Sequence, residues 1–345
     1  MTTLSTGWDG RVRAQRLEGE RPRWHRSRLV VAGPNLTIDR TASLPLLRPG
    51  DVLRTREVAV TPGGKGVNVV RAATALGIPA LLAGFLPGRL GQVAAAMLAD
   101  EAIAVAGVAT VGELRSTSVL MEDDGRVTVI NEPGPTVSAQ DWEALEGVVA
   151  GELADRAAVL VCSGSVPPGT PADAFARLAA LARTAGIAVL IDAKGPLLGA
   201  ALAAGPDMVT PNLAEAEGVL GGGDAPEGVD VDPAEARARA VAAATGLRAA
   251  GARAAVVTAA AAGAAVASAD KTRWIPAPRV AVRNPIGAGD ALTAGVAAAL
   301  TRGLPPLAAA VEGVAAASAS VEHHRAGTLD PARAAALAAT LHPSP

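Results

Sequence analysis

From Arg28 onward the chain alternates between two patterns. Short Val/Ile/Leu runs with little polar interruption predict strands at 28–33, 80–85, 103–108, 157–163, 187–192, 207–210 and 254–258. Between them, Ala-rich amphipathic stretches predict helices over 66–77, 91–100, 138–150, 171–185, 213–220, 233–250, 290–303 and 306–321. Continuous apolar strands are buried on both faces, and intervening helices supply the crossovers of a parallel sheet. The expected class is therefore α/β, with a mainly parallel central sheet and helices on both faces.

Two stretches break the alternation. Residues 36–61 form a Pro-punctuated extended segment, and 116–131 read as a hairpin turning at Asp124-Gly125. Strands without partner helices predict a small β-sheet apart from the core, a lid built from about 36–61 and 114–131. The uncharged stretch Ala254–Ala269 suits strand-turn-strand better than a membrane span. Gly221–Asp232 reads as an acidic, Gly-rich surface loop.

Composition narrows the picture. Half the residues are apolar but only 2% are aromatic, so alanine and valine must carry the packing. The 31 basic and 33 acidic residues leave a net charge of -2, without the basic field a general nucleic-acid binder needs. The single cysteine, Cys162, cannot pair internally and fits a reducing compartment. Residues 1–27 are charged throughout with no apolar run, so they read as a disordered leader, and the chain is expected in the cytoplasm without membrane contact.

Two Gly-rich turns carry candidate chemistry. In Asn284-Pro-Ile-Gly-Ala-Gly-Asp290 the amides of Gly287, Ala288 and Gly289 face the positive end of the following helix, a site suited to phosphate. Asp290 opens that helix, where its carboxylate could accept a proton from a bound hydroxyl. An anion cradle beside a base suits phosphoryl transfer to an alcohol. The second turn, Thr61-Pro-Gly-Gly-Lys-Gly-Val-Asn68, brings Gly63 and Gly64 close to any ligand and offers Lys65 and Asn68 to a polar one. It lacks P-loop spacing, and an ordinary strand-to-helix turn fits it equally well.

Together, in order and at this separation, Gly63-Gly64-Lys65-Gly66 with Asn68 and Gly287-Ala288-Gly289-Asp290 resemble the two signatures of the PfkB (ribokinase-like) carbohydrate kinases. The resemblance runs from about Val30 to Leu329 and implies a ribokinase-like kinase domain over 28–340. Asn35-Leu-Thr-Ile-Asp39, Lys65, Arg115, Asn131-Glu-Pro-Gly134 and Asn284 look like the 1-phosphofructokinase and tagatose-6-phosphate kinase branch. That branch implies ATP and Mg²⁺ as cofactors and a ketohexose phosphate as acceptor, fructose 1-phosphate first. Fructose 6-phosphate, tagatose 6-phosphate, or another sugar or nucleoside are the alternatives. The resemblance assigns Asp39 to the sugar hydroxyls, and Lys65 and Arg115 are candidate grips for the sugar's phosphate. It also assigns Asn212 and Glu215 to Mg²⁺ through water and places Thr258 and Gly263 at the nucleotide. Arg71 and Arg89 are further candidates for the sugar's phosphate, though a solvated helix or loop charge suits each better, and His323 and His324 read as residues near a helix end on the nucleotide side. Members of the family often pair through their lids, which implies a homodimer.

The chain departs from the family pattern on the nucleotide side. Ala260 stands where the family usually has glycine, and Thr210 where it often has lysine. These changes leave a sugar-binding sensor with a weakened ATP site as the non-enzymatic alternative.

Overall fold

The computed structural model describes residues 28–155, 157–221 and 232–344. The leader expected over 1–27, and most of the loop expected at 221–232, lie outside the described residues.

The core is one nine-stranded sheet in the order β13-β12-β11-β10-β9-β8-β1-β4-β5. Its strands are β1 (Arg28–Ala32), β4 (Ala80–Pro87), β5 (Ala104–Thr110), β8 (Ala157–Ser163), β9 (Ala188–Asp192), β10 (Met208–Val209), β11 (Ala255–Thr258), β12 (Gly263–Ala267) and β13 (Thr272–Pro276). All neighbours are parallel except at one edge, where β11, β12 and β13 run antiparallel. The expected strand-turn-strand at 254–269 is the β11–β12 pair.

Alternation along the strands sorts their residues between two cores. Leu29, Val31, Val159, Val161 and Leu190 face one apolar cluster, while Val30, Ala32, Leu160, Cys162 and Ile191 face the other. The first face is covered by α1 (Lys65–Ala75), α2 (Gly88–Asp100), α8 (Ala288–Thr301), α9 (Pro306–Ser320) and α10 (Pro331–Thr340). The second carries α3 (Ala139–Leu153), α4 (Ala174–Thr184), α5 (Gly195–Ala203), α6 (Leu213–Gly221) and α7 (Pro233–Ala249). Helix α8 is the most enclosed: every residue from Asp290 to Ala299 is buried. Its short side chains let α9 lie directly against it, which is how an alanine-rich sequence with few aromatics closes its core.

Four strands stand apart as a second sheet, in the order β3-β2-β6-β7: β2 (Thr37–Leu44), β3 (Glu57–Gly63), β6 (Ser116–Glu122) and β7 (Val127–Asn131). These are the segments expected to form the lid. Register fixes its two faces. Asp39 pairs with Thr61 and Thr117, while Arg40 pairs with Val60 and Ser118, and Ser118 with Ile130. Asp39, Thr117 and Val119 therefore share the face that lines a large cavity against the core, and Val58, Val60 and Ile130 share the outer face, exposed.

Three elements escaped the sequence pattern. Helix α5 opens on Gly195-Pro196, which reads as a turn, although proline is well suited to a first helical turn. Helix α10 is short, yet its start was marked: Asp330 caps it by accepting the Ala332 and Arg333 amides at 2.8 and 3.4 Å. Strand β13 is a five-residue edge strand, too short for a periodicity to show. Strand β10 is shorter than expected, with two residues. Among the described residues no helix is long and apolar enough to cross a membrane.

Candidate active site

The carboxyl ends of the parallel strands and the inner face of the small sheet enclose a cavity of about 1800 Å³. Such ends are where open α/β sheets bind ligands. Every residue that the sequence singled out for catalysis, substrate or cofactor lines it: Asp39, Gly63, Gly64, Lys65, Asn68, Arg115, Asn212, Glu215, Thr258, Gly263, Gly287, Ala288, Gly289 and Asp290.

Asp290 sits in the first turn of α8, behind Gly287 in a left-handed N-cap conformation (φ 84°). The carboxyl is buried, and its Oδ2 accepts a hydrogen bond from Asn68 Nδ2 at 2.8 Å. Burial pushes its pKa up to about 7, reinforced by the Asp192 and Glu215 carboxylates and opposed by Lys65 and the Asn68 bond. A group poised near neutrality is suited to accept a proton. Of the three amides expected to form the anion cradle, Ala288 N–H closes a turn onto the Pro285 carbonyl at 3.3 Å. The Gly287 and Gly289 amides meet no such acceptor among the described residues.

Beside Asp290 lies a charge cluster. Lys65 Nζ stands 3.3 Å from Glu215 Oε1 and 3.5 Å from Asp192 Oδ1. Burial works against the ammonium, yet Asp192, Glu215 and Asp290 together hold the Lys65 pKa above its usual value. Asp192 is buried, raised in pKa by that burial, and accepts from Ser163 Oγ at 3.0 Å. Three carboxylates thus surround one ammonium, an excess of negative charge that a divalent cation would balance. Among the described residues no three ligating side chains converge to hold a metal, so nucleotide phosphates would have to complete its shell, as Mg²⁺ sites commonly require.

Asn212 and Glu215 meet as a reciprocal cap rather than as free ligands. Asn212 N–H donates to Glu215 Oε2 at 3.0 Å, and Glu215 N–H donates to Asn212 Oδ1 at 2.8 Å. The Asn212 side-chain oxygen serves the start of α6, and the carboxylate that faces Lys65 is that of Glu215.

On the sugar side, the Asp39 carboxylate lies flat against Gly63, where an added Cβ would fall 2.0 Å from Oδ2. The glycine is there because the carboxylate is. Asp39 Oδ1 is buried with no partner, and burial raises the pKa of the group despite the nearby Arg115. Oδ1 is closed off from the cavity, so a ligand hydroxyl would meet the rest of the carboxylate, which lines it. Arg115 has two of its five N–H donors left for a phosphate in this arrangement. Its guanidinium donates to the carbonyls of Asn35, Leu36 and Glu132 at 3.0–3.3 Å, pinning the loop after β1 to the one after β7.

On the side that the resemblance assigns to the nucleotide, Thr258 ends β11 and its N–H donates to Pro211 O at 3.2 Å, closing that loop beside Asn212. Gly263 is required by packing: a Cβ there would stand 2.3 Å from Ile275 O and 2.9 Å from the Trp274 ring. Ala260 adopts a left-handed conformation (φ 48°) while lining the cavity, so the missing glycine leaves real backbone strain. Thr210 is buried and shares a 3.0 Å hydrogen bond with Thr293, tying β10 to α8. Asn284 shapes the turn before Gly287, accepting from Ile286 N–H at 2.9 Å and donating to His324 O at 2.8 Å. The histidines do lie beyond the end of α9, on that side.

One residue of this site was not identified from the sequence, and another was weighed as a candidate but read chiefly as a surface charge. Asp192 sits in no motif, and its only signal was a carboxylate ending a predicted buried strand. Arg71, read as a solvated charge, is instead 11% exposed and bonded within the site's supporting wall; Arg89 is exposed as expected.

A model of the pfkB family carbohydrate kinases matches residues 28–333. The chain is 31% identical over 282 residues to the 1-phosphofructokinase of Rhodobacter capsulatus, covering 80% of this chain and 85% of that protein. Phosphofructokinase-2 from Escherichia coli in complex with potassium superposes with a TM-score of 0.79 at 25% identity, over 91% of this chain and 98% of the other. A possible 1-phosphofructokinase from Thermotoga maritima does so with a TM-score of 0.78 at 25% identity, over 92% and 98%. Fold, paired signatures and family model agree: the chain belongs to the pfkB family of carbohydrate kinases.

Proposed function

We propose that this kinase transfers the γ-phosphoryl group of ATP to the free primary hydroxyl of a ketohexose phosphate, fructose 1-phosphate before its isomers. The observation that carries the reading is Asp290: a buried carboxylate near neutral pKa at the amino end of α8, lining the same cavity as the Asp39 carboxylate. Asp39 would hold the sugar by its hydroxyls. Asp290 would orient the reacting hydroxyl and take its proton as the oxygen attacks, while the Gly287 and Gly289 amides and the α8 dipole stabilise charge on the transferring group. Glu215 and Asp192 would hold Mg²⁺, whose charge would offset that of the nucleotide phosphates. The choice of a phosphorylated acceptor is supported by the 31% identical relative and by Lys65 in the cavity. Arg115, committed to backbone carbonyls, supports it less. The small sheet would act as the lid that excludes water.

A coupled ADP-release screen over fructose 1-phosphate, fructose 6-phosphate, tagatose 6-phosphate and the free sugars tests the acceptor. Fructose 1-phosphate is expected to give the highest kcat/KM. A preference for any unphosphorylated sugar would overturn the reading.

The base assignment makes a pH prediction. Asp290 acts deprotonated, so kcat/KM should rise about tenfold per unit below an apparent pKa of about 7 and level off above it. Asp290→Asn should lose at least about 10²-fold in kcat while keeping the folded circular-dichroism spectrum. Turnover like the wild type in that variant sinks the assignment.

The strained Ala260 bears on ATP, and a sensor with a weak nucleotide site is the competing reading that it favours. Left-handed alanine costs about 1–2 kcal/mol, while glycine's extra freedom in the unfolded chain gives back about 0.4–1 kcal/mol. Ala260→Gly should therefore raise unfolding stability by up to about 1.5 kcal/mol in urea titration. It should also leave ATP affinity equal or tighter by calorimetry. No binding of Mg²⁺-ATP at millimolar concentration by either form would favour the sensor.

The outer face of the small sheet, with Val58, Val60 and Ile130 46%, 42% and 56% exposed, is suited to a second copy of the chain. A dimer is expected by light scattering and a shift toward monomer in Val60→Glu. A monomeric wild type would refute the pairing.

A further inference from the structure

The bond that Asp290 receives depends on which way an asparagine amide faces. Asn68 can present either its oxygen or its NH₂ group, and only the NH₂ group can donate to a carboxylate. The choice is made by Arg71, one turn further along α1. Arg71 Nη1 donates to Asn68 Oδ1 at 3.1 Å, and Asn68 Nδ2 then donates to Asp290 Oδ2 at 2.8 Å. A guanidinium has donors and no acceptor, so the Asn68 oxygen must face it and the NH₂ group must face the base.

Arg71 is itself held from four directions. Its Nε and Nη2 bind the Glu101 carboxylate at 2.8 and 3.2 Å, at the end of α2. Nη2 donates to Pro62 O at 3.0 Å, at the foot of the small sheet, and Nη1 to Ala326 O at 3.3 Å, in the loop after α9. Glu101 also pairs with Arg325 in the same loop, which presses close to Asn68: a Cβ on Gly327 would stand 2.7 Å from Asn68 O. The side chain is 11% exposed and cannot swing into solvent without breaking all of these bonds.

We propose that Arg71 is a positioning residue for Asp290: it fixes the Asn68 amide with its NH₂ group toward the base, and couples that orientation to the foot of the small sheet. This rests on Asp290 being the base. With Arg71 gone, the freed amide can flip and set an oxygen against the carboxylate, a contact tolerated only when Asp290 is protonated. The other charged groups facing Asp290 are Lys65 from α1, Asp192 from β9 and Glu215 from α6; none of them touches Arg71.

The test is the pH dependence of kcat/KM for wild type, Arg71→Met, Asn68→Leu and the double variant, with Asp290→Asn on the same plot. Arg71→Met is expected to lower kcat roughly tenfold to a hundredfold with little change in KM for ATP. It should raise the apparent pKa of the acid limb by roughly half to one unit, with no further shift when added to Asn68→Leu. Where Arg71→Met does not fold, Arg71→Gln, too short to span Asn68 and Glu101 together, should show the same shift. An acid limb unmoved in the folded variant, whatever happens to kcat or melting temperature, would reduce Arg71 to a structural tie, as would additive shifts in the double variant. Retained turnover in Asp290→Asn would fail the base and the proposal together. A dead Asp290→Asn with an unmoved limb would fail the proposal alone.

Discussion

A carboxyl group kept from water at the start of a buried helix is what the rest of this structure is arranged around. An ionised carboxylate in a dry interior is expensive unless donors and opposite charge meet it. Here one donor, Asn68, and one nearby cation, Lys65, meet Asp290 while two further carboxylates oppose it, and the balance leaves its pKa about 7. The same balance has a consequence for folding. Between pH 3.8 and about 7 the folded chain retains a proton that the unfolded chain has released, so stability from this group falls as pH rises through that window. The proton whose loss would make Asp290 the proposed base is one whose retention favours the fold.

Keeping the carboxyl in place requires that α8 not move. The helix is buried from Asp290 to Ala299, packed by α9 on small side chains, and tied to β10 through Thr293 and Thr210. In that light the departure at Thr210 is a gain for the core. A lysine there would have put a long cation where a hydroxyl now fastens the helix to the sheet.

Much of this was legible in the sequence because the two glycine-rich turns lie at junctions between elements, where spacing and chemistry coincide. Gly63 and Asp39 were both singled out, though their mutual dependence needed three dimensions: a glycine 24 positions away is empty because the carboxylate fills its place. Ala260 was readable as a missing glycine, and its left-handed backbone is the strain that reading anticipates. Asn212 and Glu215 show the limit of spacing. Three residues apart at a helix start suits a metal ligand pair and a reciprocal cap equally, and the coordinates show the cap. Asp192 stayed hidden because one aspartate after an apolar strand is common, and only the arrival of Lys65 from another element gives it a role.

The arginines teach the more general point. In a chain with 2% aromatic residues and a core of alanine and valine, few side chains are long enough to fasten distant loops to one another. Arg115 and Arg71 do that work. Each spreads a rigid fork of donors over backbone carbonyls from separate segments: Arg115 over Asn35, Leu36 and Glu132, Arg71 over Pro62 and Ala326. A cation beside a candidate cavity therefore does not by itself mark a ligand's charge. Where the flanking loops are rich in glycine and proline, their carbonyls are acceptors already present, and they claim most of the guanidinium before any substrate arrives. What remains for the ligand is the less constrained cation, and on that ground Lys65, with its side chain 40% exposed, is the stronger candidate for direct contact.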